Sequence, residues 1–504
     1  MEETLATKLP VSGYAVAAFV GYLLIVMVIG ILASRFSSAG IREYFLGGRK
    51  MNRFVVALSA VVSGRSAWLL LGVTGMAYKM GASAVWAVVG YIVVEMFLFR
   101  FYAARLRRFS EQYDCITLPD FFATRFADRS GWLRIILVVI ILIFMISYVS
   151  AQFLGGGKAF AASFQLSQAA GIFLTAGIVL FYTMLGGFLA VSLTDMLQAF
   201  FMLLALLILP VVAIMDRGGL LTVLHQLRAL DPALIDPLAL SAGVFIGFLG
   251  IGLGSPGNPH IIVRYMSIKD PEQLRVSTVV GTVWNVLMAW GALFIGLVGR
   301  LYFPETTMLP HADTENLYPL LAQQHLHPVL FGMVIASIFA AIMSTADSQL
   351  LVAVSSVVRD FYEKVWRKKQ VLDHRRLVLY SRIMVVFLVG LALTMGLLAS
   401  EQVFWLVLIA WAGLGAAIGP TSILALYWRR TTYRGVIAGF LTGTVVTIIW
   451  YYTPALKAQI YELIPAFGLA LLATILVSLL SSPPPGVREM FECMTSRQRN
   501  SSLK

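Results

Sequence analysis

AVVSGRSAWLLLG at 60–72 and GIGLGSPGNPH at 250–260 decide how this chain reads. Each lies inside an apolar run long enough to cross a membrane, and neither can stay helical through its middle. The first carries Ser63, Gly64, Arg65 and Ser66 at its centre. The second carries Gly252, Gly254, Pro256, Gly257 and Pro259. A proline inside a helix costs about 3 kcal/mol and a glycine about 1 kcal/mol. Backbone freed at membrane depth is tolerated only where it lines a cavity or is buried in protein. One such interruption reads as an ordinary kink. A pair at corresponding places in two halves points to an inverted repeat with a binding site near the midplane.

The rest of the chain supports a membrane setting. Of 504 residues, 59% are apolar and 12% are charged, against about 25% charged in a soluble domain. Mean hydropathy is +0.84. That excludes a soluble enzyme, a disordered chain and a nucleic-acid-binding module. The net charge of +13 falls in short clusters between apolar runs, which is a topology signal. A span needs about 20 mostly apolar residues. The candidates are 13–34, 53–79, 83–107, 131–162, 168–186, 189–215, 239–262, 274–303, 328–358, 376–398, 401–427, 434–452 and 462–482. The expected fold is an all-α polytopic membrane protein of thirteen transmembrane helices. On this reading 53–215 forms a first repeat and 239–427 a second. The helix at 13–34 and the two at 434–482 are additions, and 483–504 is a tail. No further domain and no cleavable leader is expected, so 1–504 reads as one membrane transport domain.

Lysine and arginine set the expected orientation. The loops after the first, third, seventh, ninth and eleventh spans hold Arg35, Arg42, Arg49, Lys50, Arg105, Arg107, Arg108, Lys364, Arg367, Lys368, Lys369, Arg375, Arg429 and Arg430. The opposite loops hold little beyond Lys8, Lys158, Arg217, Arg228 and Lys457, and 304–316 has neither lysine nor arginine. The acidic start at Glu2 and Glu3 is on the side with few cations. Positive-inside places the N-terminus outside and the C-terminus in the cytoplasm. Cys115 and Cys493 then lie on the reducing side as free thiols.

Polar groups inside spans are expensive and mark function. They are Arg65, Ser63 and Ser66 in the second span, Glu95 in the third and Asp195 in the sixth. The ninth carries Ser344, Thr345, Asp347 and Ser348. A midspan arginine must be paired or face water, and Glu95, Asp195 and Asp347 are the available partners. Structural readings stand beside these: an acid pair at Asp195 and Asp347, an inward acid at Glu95, a satisfied core histidine at His260. GLGSPG at 252–257 matches a dinucleotide fingerprint in form, but no strand precedes it. Asn500-Ser501-Ser502 matches a glycosylation sequon in an expected cytoplasmic tail. Neither carries function. No HExxH, nucleophile elbow or His/Cys cluster lies in a span, so an enzyme is not expected.

YFLGGR (44–49), SAWLLLG (66–72), LPDFFATRF (118–126), GGFLAVSLTD (186–195), PHIIVRYM (259–266), AAIMSTADSQLLV (340–352) and AWAGLGAAIGP (410–420) together resemble the sodium/solute symporter family, and most its proline-carrying bacterial members. The resemblance implies a LeuT-like five-plus-five inverted repeat and sodium-coupled symport of a small organic solute, by default L-proline. It also implies residence in the bacterial inner membrane, with no organic cofactor and Na+ as coupling ion. The expected partners are that solute, the ion and the lipid bilayer. The main sodium site is expected from the carbonyls of Val62, Arg65 and Ala341 and the hydroxyls of Ser344 and Thr345. A second is expected near Asp195, Asp347 and Ser348. Hard cations favour such oxygen ligands. The solute is expected among Arg65, Ser66, Trp68, Ser255, Asn258 and Pro259, with Tyr148 and Gln152 of the fourth span facing it.

Two departures stand out. The family pattern before the tryptophan is like SDMSGW; here it is SGRSAW at 63–68. Gly64 replaces an acid and Arg65 a neutral methionine. In the seventh span, Ile251 and Ser255 stand where the family has aromatics. Three roles for Arg65 follow: a tethered cation that replaces the ion, a receptor for a substrate carboxylate, or a structural salt bridge. The first implies sodium-independent transport and the second an anionic solute. A solute-sensing receptor is the reading from another class.

Overall fold

The computed structural model describes residues 12–37, 40–367 and 374–495. Glu2, Glu3, Lys8, Lys368, Lys369, the sequon at Asn500 and residues 496–504 of the expected tail lie outside them. The described chain is helical, with one isolated backbone bridge between Met51 and Ile268. Among the described residues, nine helices are long and apolar enough to cross a membrane. Four shorter apolar helices accompany them, at Arg53–Ser63, Gln168–Met184, Ala242–Gly257 and Leu463–Leu479.

Both expected interruptions are present, and each has a local cause. Helix α1 (Arg53–Ser63) starts at Asn52, whose side chain accepts from the Phe54 N–H at 3.0 Å. It ends at Gly64. The left-handed residue is not that glycine but Ser66, at φ 48°. A non-glycine residue there is strained by about 1–2 kcal/mol. Two contacts hold it: the Ser66 hydroxyl accepts from the Trp68 N–H at 3.1 Å, and the Gln152 side-chain oxygen accepts from the Ala67 N–H at 2.9 Å. The chain resumes as a wide helical turn at Trp68–Val73 and then a regular helix at Thr74–Met80.

The second interruption begins as helix α2 (Ala242–Leu249) and tightens into a 3-10 stretch at Gly250–Gly257. Asn258 is extended, at φ −94° and ψ 101°, and helix α3 (Pro259–Ser267) begins at Pro259. A proline disfavours helical geometry in the residue before it and suits the first helical position, so Pro259 sets both the break and the restart. Glycines here permit backbone contact. A Cβ on Gly90 would lie 2.0 Å from the Leu249 carbonyl, and one on Gly252 would lie 2.2 Å from the Gly90 carbonyl.

Burial separates the centre from the periphery. In the most apolar window of Pro328–Trp366, and of Val403–Tyr427, 83% of residues are buried. For Gly13–Ala33 the share is 28%. The outer helices expose Leu24, Val28, Phe387, Ile449, Leu472 and Leu476. An apolar belt of this kind has lipid as its natural solvent.

Helix α4 (Trp132–Phe164) ties the two ends of the bundle together. Near its start, Arg134 bridges Asp120 and Asp360, each at 2.8 Å, and Thr117 donates to Asp360 at 2.8 Å. Near its end, Lys158 pairs with Asp313 at 2.6 Å and Glu315 at 2.5 Å. Those anchors are about 36 Å apart along the helix at 1.5 Å per residue, so they sit at opposite ends of the bundle. Glu315 also accepts from the N–H groups of Val403 and Phe404, which caps helix α5 (Val403–Tyr427) with a carboxylate. Burial pushes the Asp313 carboxyl up, but the Lys158 ammonium, the Glu315 N–H and Gln402 outweigh it and hold it below the usual carboxylate range.

Candidate functional site

The two interruptions meet an aromatic cavity. Gly64, Arg65, Trp68, Tyr91, Tyr148, Ile251 and Trp411 line it, together with Val407 and Leu408. Its volume is about 10 Å³, close to the space one water needs. A solute of several heavy atoms cannot enter without movement of the walls, so this arrangement is closed. Trp68 stacks on Phe404 at 5.7 Å and meets the edge of Tyr91 at 5.9 Å. Trp411 donates from its indole nitrogen to the Ile251 carbonyl at 2.8 Å, which satisfies one backbone group freed by the break.

The residues expected to face a solute divide into two groups. Arg65, Trp68 and Tyr148 line the cavity, and Ser66 adjoins it through a 3.4 Å contact between its hydroxyl and that of Tyr148. Gln152 supports the break from behind. Asn258 donates to the Gly254 carbonyl at 2.8 Å. Ser255 and Pro259 are not among the cavity-lining residues. Pro259 lines a second space with Thr117, Phe188, Arg264 and Ser348, of about 20 Å³. Tyr91 and Trp411 escaped the sequence reading. Aromatic residues are common in spans; Trp411 lies in the AWAGLGAAIGP segment, and no local pattern marks Tyr91.

Arg65 is 1% exposed and its partner is Glu95, 2% exposed, in helix Val85–Phe97. The guanidinium donates to a Glu95 oxygen, to the Asn285 side-chain oxygen at 2.8 Å and to the Gly64 carbonyl at 3.1 Å. Asn285 donates to the same Glu95 oxygen at 2.8 Å, and the guanidinium lies 3.7 Å from the centre of the Tyr91 ring. The second Glu95 oxygen has no hydrogen-bond partner among the described residues. Of the three acids available to Arg65, Glu95 is the one that closes a triangle with Asn285. None of the polar contacts of Arg65 goes to Ser344, Thr345 or Asp347.

Oxygen atoms gather on the other side of the break. In helix α6 (Pro328–Ser355), which precedes α5 in the chain, the Ser344 hydroxyl lies 3.1 Å from the Ala341 carbonyl and 3.4 Å from the Val62 carbonyl. The Thr345 hydroxyl donates to the Ser63 carbonyl at 3.1 Å. The Val62 and Ala341 carbonyls therefore meet at the Ser344 hydroxyl, and the Ser63 carbonyl meets the Thr345 hydroxyl. The Arg65 carbonyl accepts from the Leu69 N–H at 3.0 Å, in the resumed helix.

The expected second group also assembles, but around a cation already built into the chain. Asp195 accepts from Ser59 at 2.6 Å, from Ser63 at 3.3 Å and from Arg264 at 3.2 Å. Arg264 further reaches Ser59 at 3.0 Å, Ser348 and the His260 carbonyl. Ser348 lies 3.1 Å from Asp347. One oxygen each of Asp195 and Asp347 has no partner among the described residues. Arg264 was legible as a lone charge in HIIVRYM, yet the sequence reading did not single it out as a site residue. His260 is buried with the Ser63 backbone as a polar neighbour, and its ring stands edge-on to Tyr148 at 6.0 Å.

A buried oxygen cluster beside two broken helices is a transporter's architecture, and comparison with known proteins agrees. The model of the sodium:solute symporter family matches residues 44–443. The osmoregulated proline transporter OpuE of Bacillus subtilis (strain 168) is 36% identical over 466 residues, covering 92% of this chain and 94% of that one. A sodium/proline symporter of Staphylococcus aureus (strain JH9) is 37% identical over 475 residues, covering 92% of each. Among solved structures, a Na+-coupled sialic acid symporter in a substrate-bound outward-open state superposes with a TM-score of 0.80. It is 16% identical and covers 94% of this chain and 99% of that one. A nucleobase-cation-symport-1 family transporter in a closed conformation gives 0.55 at 13% identity, covering 91% and 99%. These likenesses show the LeuT-like helical fold. The chain is a multi-pass transporter, not an enzyme, and belongs to the sodium:solute symporter family.

Proposed function

We propose that the protein couples an inward sodium gradient to uptake of a small amino or imino acid, with L-proline as the first candidate. The observation that carries this reading is the gathering of the Val62, Ser63 and Ala341 carbonyls at the Ser344 and Thr345 hydroxyls beside the aromatic cavity. Oxygen-only donors suit a hard monovalent cation, and one charge crossing the membrane releases about 2.3 kcal/mol per 100 mV. The relatives named above carry proline by name. In this reading Arg65, Ser66, Trp68 and Tyr148 form the solute wall, with Gln152, Ser255, Asn258 and Pro259 supporting the breaks, and sodium and solute are both cargo. Asp195, Asp347 and Ser348 serve a second cation step, held in place by Arg264.

The engagement of Arg65 with Glu95 and Asn285 supports retention of sodium coupling. Its positive charge is matched within the same cluster and directed away from Ser344 and Thr345, so it leaves the ion's place free of a surrogate. The test is uptake of labelled amino acids and carboxylates into proteoliposomes, under a sodium gradient or with choline in its place. Proline uptake that needs sodium is the expected result. Equal uptake in choline overturns the coupling, and preference for a dicarboxylate overturns the solute class.

The orientation follows from the lysine and arginine pattern: N-terminus outside, C-terminus in the cytoplasm. Lys364 lies on the face expected to be cytoplasmic. In a variant with Cys115 and Cys493 replaced by serine, a cysteine at Lys364 resists an impermeant thiol reagent added outside intact cells. Rapid labelling there inverts the topology.

A further inference from the structure

Arg100, Arg105, Arg108 and Arg275 line a cavity of about 310 Å³, closed on one side by Met494 and Thr495 of the C-terminal helix Val487–Thr495. Glu272 is the one carboxylate on its rim, so four guanidinium groups face one acid. Two of the four are held in position. Arg105 donates to the Leu426 carbonyl at 2.9 Å and lies 4.1 Å from the Tyr427 ring centre. Arg108 donates to Glu272 at 3.0 Å and to the Met494 carbonyl at 3.3 Å. Arg100 and Arg275 are exposed and make no ion pair among the described residues.

The surface beside this cavity is apolar. Met96, Phe97 and Phe101 on one side and Val279, Val283 and Val286 on the other are exposed, Phe101 at 49% and Val279 at 64%. Phe101 adjoins Arg100, and Val279 follows Arg275 by one helical turn. The arginines therefore stand at the edge of the lipid-facing belt, with an apolar track running from them toward the middle of the membrane.

We infer that this cavity binds the headgroup of an anionic phospholipid, its acyl chains lying against Phe97, Phe101, Val279 and Val283. A phosphodiester presents two non-bridging oxygens that the planar fork of arginine engages together, which lysine's point charge does not. Free phosphate shares that headgroup chemistry but has no use for the apolar track. Because Met494 and Thr495 wall the cavity, the bound lipid also fastens the C-terminal helix to the bundle.

The test uses the full-length protein purified in detergent and its thermal stability during titration with phosphatidylglycerol, phosphatidylcholine or inorganic phosphate. Phosphatidylglycerol is expected to raise the melting temperature saturably, and the other two are not. The Arg100→Gln/Arg275→Gln variant removes two unpaired exposed charges, so it folds. Its half-saturating phosphatidylglycerol rises about thirtyfold, the combined weight of two arginines near an anionic surface. Arg430→Gln/Arg434→Gln removes two charges outside the cavity and leaves the titration unchanged. Equal response to phosphatidylcholine, or equal weakening in the two double variants, overturns the site. Saturation by inorganic phosphate in place of the lipid overturns the lipid assignment.

Discussion

Arg65→Met lowers the stability of the protein by about 3–5 kcal/mol, because it leaves the Glu95 carboxylate buried without its cation. Glu95 is 2% exposed, and Asn285 alone would remain to donate to it. The paired change Arg65→Met/Glu95→Gln recovers most of that loss, since an amide of the same shape needs no counter-charge. Thermal denaturation in detergent measures both. Uptake then separates the roles of the pair. As a structural ion pair, the double variant regains proline uptake with its sodium dependence intact. If the guanidinium instead receives the substrate carboxylate, the double variant is stable but fails to bind solute. A fully sodium-independent natural protein that gains sodium dependence with Gly64→Asp/Arg65→Met would restore the tethered-cation reading and sink this one.

Ser344→Ala/Thr345→Ala raises the sodium concentration for half-maximal uptake by at least about tenfold, since even outer-shell changes at metal sites cost that much. Both hydroxyls are buried, and each is paired with a carbonyl of the broken helix or of its own helix. Alanine removes two oxygens without adding bulk, so the helix stays packed. Lithium and sodium titrations of proline uptake, alongside direct binding of proline at saturating sodium, give the readout. An unchanged sodium requirement in a stable double variant places the coupling site elsewhere, with the Asp195, Asp347 and Ser348 group next in line.

These two experiments separate what Arg65 does from what the oxygen cluster does. The two groups flank one interruption, at Ser63–Trp68. The strain at Ser66 and the small volume of the aromatic cavity both indicate that solute entry repacks this segment.

The helical class and the presence of the two breaks were determined by sequence alone. Apolar runs in lipid have helix as their economical backbone solution, and prolines and glycines act on the chain next to them. The polar residues of the spans were visible for the same reason: a charge in an apolar run is conspicuous wherever it ends up. Pairing was not visible. Arg65 had three acids within reach of any plausible packing, and only the crossing of Val85–Phe97 and Leu274–Tyr302 beside the break puts Glu95 and Asn285 on its guanidinium. Arg264 at Asp195, Tyr91 and Trp411 at the cavity, and the position of Ser66 as the left-handed residue depend in the same way on contacts between segments 30 to more than 200 residues apart. Periodicity and composition describe each segment by itself, and a site made between segments exists only once their backbones have been brought together.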